Sequence, residues 1–112
     1  MRFSLQENRL ILERLRRECY LDLIGVADIR REDVSFLGLP EDIHQTLPLA
    51  IVVALRVSRT VLGTLEDGPT LLYYHHYRQL NAQLDRAAAR ISAEIERQGC
   101  SALPIPASQI VD

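Results

Sequence analysis

The sequence predicts an α+β domain in which a small mixed or antiparallel sheet of about three strands packs with two main helices. Three observations predict it. A capping-box start opens an amphipathic helix near the N-terminus, an uninterrupted apolar run follows in mid-chain, and a long helical pattern ends at a glycine. At 112 residues the chain is read as one domain over 1–112, with enough length to bury about two-thirds of its unfolded surface.

Ser4-Leu5-Gln6-Glu7 has the form of a capping box, with Ser4 at the N-cap and Glu7 reaching back to its amide. Leu5, Ile11, Leu12, Leu15 and Cys19 then recur at helical spacing and face a core, while Glu13 and Arg17 stand at the i,i+4 pairing distance. Leu23 to Asp28 is short, apolar and β-leaning, so it reads as the first strand. The polar stretch from Arg30 to Asp33, the segment Phe36 to Pro40 and the isolated His44 read as connection with one short helical turn. Leu49 to Val57 is continuously apolar and predicts a central strand covered on both faces. Ser58 to Leu65 reads as a short helix before the turn Asp67-Gly68-Pro69-Thr70.

The longest element follows. Tyr73, Tyr77, Leu80, Leu84, Ala87, Ala88, Ile91 and Ile95 recur at steps of three and four, a core-facing seam. Arg86, Arg90 and Glu94 line the wet side at i,i+4 spacing, and Gly99 supplies the αL stop. Ser101 to Ile105 is a candidate third strand, confined to an edge or an irregular extended course because Pro104 and Pro106 lack amide donors.

The composition excludes several functions. An apolar fraction of 47% with 25% charged residues is ordinary globular composition. The net charge of -2 argues against direct nucleic-acid binding. No run approaches the ~20 apolar residues of a membrane span, and no signal core opens the chain, so a cytoplasmic location is expected. Cys19 and Cys100 are too few for a cluster or a zinc site and read as reduced thiols. His75 and His76 are adjacent on a helix and diverge by about 100°, so they do not chelate one ion, and no metal ligand is assigned. No phosphate-binding glycine loop or nucleophile elbow is present, and no residue is assigned a catalytic role.

What stands out is polar. Tyr74, Arg78, Asn81 and Asp85 follow steps of four, three and four and form one row beside the apolar seam. Such a row either lines a pocket or locks the helix in place, with Arg78 bonding Asp85 or a backbone carbonyl.

The ordered series Asp67-Gly68-Pro69-Thr70, Tyr74-His75-His76-Tyr77, Asn81-x-x-Leu84-Asp85, Gly99 and Leu103-Pro104-Ile105-Pro106-Ala107-Ser108 resembles the N-terminal part of a known family. Ile24 to Asp28 and Pro48 to Ile51 fit the same pattern. That family is the epoxyqueuosine reductase-like iron–sulfur proteins, whose catalytic region is similar to the cobalamin-binding domain of reductive dehalogenases. The resemblance implies a nitroreductase-like, cobalamin-reductase fold and a corrinoid cofactor, with Tyr74, Tyr77, Arg78, Asn81, Pro104, Pro106 and Ser108 shaping its pocket. It also implies a further ferredoxin-like module with two four-iron four-sulfur clusters, whose ligands this chain lacks. The chain is therefore expected to be an N-terminal fragment or short relative of an electron-transfer oxidoreductase, not catalytically competent by itself. Two other readings stay open: a non-catalytic dimerisation or interaction module, homodimeric or docked on the missing module, and a flavin-binding nitroreductase-like half domain.

Overall fold

A computed structural model describes residues 5–30, 46–66, 68 and 70–107. The element order is α1 (Leu5–Glu18), β1 (Leu23–Asp28), β2 (Leu49–Ala54), α2 (Arg59–Leu62) and α3 (Leu71–Arg97). This is an α+β arrangement with a two-stranded antiparallel sheet. Ser4, the segment Phe36 to Pro40, His44 and Ser108 lie outside the described residues.

The strands pair in register from Leu23 opposite Ala54 to Asp28 opposite Leu49. Asp22 closes one end by accepting the Arg56 amide proton at 2.6 Å, and the Ile29 amide donates to the Pro48 carbonyl at the other. Because residues two apart share a face, Ile24, Ile51 and Val53 point together toward the helices. They pack there against a small core of Leu15, Leu21, Ala87 and Ile91.

The opposite face carries Leu23, Gly25, Ala27, Ala50, Val52 and Ala54. The continuous apolar sequence predicts cover on both faces of β2, and the structure differs. Leu23 is 68% exposed and Val52 54%, and β2 pairs only with β1 among the described residues. Ser101 to Pro106 is extended but joins no ladder there, in keeping with the two missing proline donors.

Both main helices end alike. At the end of α3 the Gly99 amide donates to Glu96 and the Cys100 amide to Ile95, a Schellman motif with Gly99 at φ 84°. At the end of α1 the Tyr20 amide donates to Arg17 and the Leu21 amide to Arg16, the same motif. Here the αL position is filled by Tyr20 at φ 56°, where a side chain costs about 1–2 kcal/mol. Burial of Leu21 and a 3.1 Å bond from the Arg16 guanidinium to the Leu21 carbonyl hold the turn. Tyr20→Gly is accordingly expected to raise stability by about 1 kcal/mol, read as a higher urea midpoint at unchanged slope.

Charge joins the two helices across their seam. Glu18 accepts from Arg14 at 3.0 Å and from Arg90 at 3.1 Å, and Arg14 also bonds Glu94. The i,i+4 pairing expected between Arg90 and Glu94 is thus replaced by bonds to α1, because α1 lies alongside and offers the opposite charges. Glu13 likewise pairs with Arg16 rather than Arg17. The hydrogen bond from Arg14 holds the Glu94 carboxyl below the ordinary value of 4.5. The unfolded chain therefore takes up the proton first, and the stability from this bond is present above pH 4.5 and lost as pH falls through the folded value. Urea midpoints are expected to drop between pH 6 and pH 3, and Arg14→Gln to flatten that drop.

Candidate functional site

The first half of α3 and the segment that follows Gly99 form the candidate site. The helix starts where the Thr70 hydroxyl accepts the Tyr73 amide proton at 3.1 Å, the N-cap chemistry that threonine provides. From Leu71 to Arg97 it runs 27 residues, about 40 Å at 1.5 Å per residue. The six-residue strands span only about 20 Å. The buried seam accordingly occupies the second half of the helix, at Ala87, Ile91 and Ser92. Tyr77, expected on that seam, is 52% exposed, because the sheet does not reach its end of the helix.

The polar row is partly assembled. The Arg78 guanidinium carbon lies 6.0 Å from the centroid of the exposed Tyr74 ring, a cation–π contact at the outer limit of its range. Asp85 does not pair with Arg78. Its Oδ1 accepts the Ala107 amide proton at 2.7 Å. The chain reverses at Gly99 and returns extended along α3 far enough for Ala107 to meet a residue more than three turns before the helix end. Asn81 sits half-buried between Arg78 and Asp85 on the same face. Pro104 and Pro106 are exposed on the returning segment, so the helix row and the proline segment share one side of the molecule.

His75 and His76 separate as their spacing requires. The His75 ring tilts against Tyr74 with centroids 5.9 Å apart. His76 turns inward, where its Nε2 accepts the Ser58 amide proton at 3.0 Å and its Nδ1 meets Gln79 Oε1 at 3.2 Å. Ser58 is itself the N-cap of α2, its hydroxyl accepting the Val61 amide proton. His76 thereby ties α2 to α3. Among the described residues no three His, Cys, Asp or Glu side chains gather as metal ligands. Both cysteines are free and half-buried, and burial pushes the Cys19 thiol above its ordinary range, which keeps it protonated and poorly nucleophilic. No helix among the described residues is long and apolar enough to cross a membrane.

Sequence reasoning placed Asp85 in the row but did not assign it to the site, and it is the residue that joins the two halves. Its position closing the Asn81-x-x-Leu84-Asp85 motif was the available signal. As the site stands, it offers an exposed phenol with a guanidinium 6.0 Å from its ring, a half-buried amide and an anchored extended segment. No protein-family model matches the chain, and no curated protein or solved structure matches it either.

Proposed function

We propose that this chain is the N-terminal α+β segment of an iron–sulfur electron-transfer reductase of the epoxyqueuosine reductase-like kind. In this reading it belongs to a nitroreductase-like, cobalamin-reductase domain and contributes one wall of the corrinoid pocket. The clusters belong to a further ferredoxin-like module. The observation that carries the reading is the 2.7 Å bond from the Ala107 amide to Asp85, which links two separate parts of the resembling pattern. A pattern whose pieces touch is better explained by one shared site than by chance spacing.

Within that wall, Tyr74 and Tyr77 offer exposed rings to a planar macrocycle, and Arg78 and Asn81 offer donors to the carbonyls of its peripheral amides. Pro104 and Pro106 keep the returning segment extended and donor-poor, and Ser108 follows the anchored Ala107. A bound corrinoid would supply the redox chemistry; these residues would only seat it. Titration of the chain with cob(II)alamin, followed by absorbance, is expected to saturate, and Asp85→Ala to weaken it about tenfold. No saturable change up to millimolar cofactor would remove the pocket from the proposal. A yellow purified chain releasing flavin on denaturation would instead favour the nitroreductase-like half domain.

The bare outer sheet face favours a second reading, an interaction module that dimerises or docks on a partner through β1 and β2. Sedimentation over a hundredfold concentration range distinguishes it, a constant monomer mass excluding the homodimer.

A further inference from the structure

A second concavity lies away from the polar row, between the end of α1 and the middle of α3, with a volume of about 510 Å³. That is within the roughly 300–1,000 Å³ of small-molecule sites. Its α1 wall is Glu18, Cys19 and Tyr20, and its α3 wall includes Gln83, Arg86 and Ala87. We propose that this groove binds a planar aromatic anion, such as a mononucleotide or an aromatic carboxylate, between the Tyr20 ring and the Arg86 guanidinium. The inference is independent of the corrinoid reading.

The charges of the groove balance except at one residue. Glu18 is fully engaged by Arg14 and Arg90. Arg86 has no ion-pair or hydrogen-bond partner among the described residues, and its forked donors match a carboxylate or phosphate. A lone surface arginine would carry no weight by itself; Tyr20 supplies the second observation. The αL turn at φ 56° is ordinarily served by glycine, yet it holds a tyrosine. Tyr20 is 83% exposed and recovers little of that cost by burial. The Tyr20 carbonyl accepts from the Gln83 side chain at 3.3 Å, so the rim residue is fastened to the opposite wall. Strain kept at an exposed aromatic ring beside a cationic groove is the pattern of a ligand-facing position. Ala82 and Ala87 between the polar residues keep the α3 wall low enough for a flat ring. The half-buried Cys19 thiol, which burial pushes above its ordinary range, adds apolar surface and no covalent chemistry.

The test is a titration of the full chain, followed by amide proton–nitrogen correlation spectra, with four probes: AMP, indole-3-acetate, adenosine and inorganic phosphate. AMP or indole-3-acetate is expected to give saturable shifts at Tyr20, Gln83 and Arg86, with the tighter of the two identifying the nucleotide or carboxylate source. Adenosine and phosphate, each lacking one half of the recognised chemistry, are expected to bind at least about tenfold more weakly. Arg86→Gln and Tyr20→Gly should each lower affinity by a similar factor. Tyr20→Gly is expected to stabilise the fold, so its loss of binding cannot be ascribed to unfolding. Absence of saturation with both anions, equal binding of phosphate alone, or unchanged affinity in Arg86→Gln would overturn the proposal.

Discussion

Replacing Leu15 by alanine is expected to destabilise the fold by about 3 kcal/mol, the largest effect of any single truncation among the described residues. Leu15 is 1% exposed and is the most deeply buried large side chain among the described residues. Among the described residues it belongs to a core of four buried apolar residues, joined by Ile24, Ile51 and Val53 from the sheet and Leu84 and Ile95 from α3. A small core has few neighbours able to move into a vacated volume, so the cavity term is felt nearly in full. Urea unfolding followed by far-ultraviolet circular dichroism measures it directly. A loss below about 1 kcal/mol would mean that α1 is not seated on the sheet as described.

The second large effect is expected at Asp85. Substitution by alanine removes the carboxylate that holds the Ala107 amide, and a hydrogen bond to a charged group contributes about 1.5–3 kcal/mol. Since the bond pins a returning segment and not the core, the loss should be local. Amide exchange at Ala107 is expected to accelerate about tenfold to a hundredfold, while exchange at Ile91 in the core of α3 changes little. Asp85→Asn retains an acceptor oxygen without the charge and should fall between the two. Equal acceleration at Ala107 and Ile91 would show that Asp85 supports the helix itself and not the returning segment.

The sequence made some of these features legible and hid others, for physical reasons that can be named. The end of α3 was readable because its stop is local chemistry, a glycine where φ must be positive; its start was read only as a turn, and the Thr70 cap came from the structure. Strand β2 was readable from its apolar run, but its cover was not. An unbroken apolar strand predicts cover on both faces, whereas the face that carries Leu23 and Val52 is exposed. Arg90 and Glu94 were read as i,i+4 partners within α3, whereas they bond Glu18 and Arg14 of α1, because helical spacing is visible in a sequence and a neighbouring helix is not. Tyr20 gave no signal at all, since nothing in a tyrosine announces an αL turn. In the candidate site the row from Tyr74 to Asp85 was legible by spacing, whereas its junction with Ala107 depends on a chain reversal that no helical period encodes.

One contact described above fixes a tautomer. The Ser58 amide can donate to His76 Nε2 only while that nitrogen keeps its lone pair, which places the imidazole proton on Nδ1, facing Gln79. The Ser58 backbone and the Gln79 side chain thus select one tautomer of the ring between them, and a side chain eighteen residues away stands in for a backbone acceptor at the start of α2.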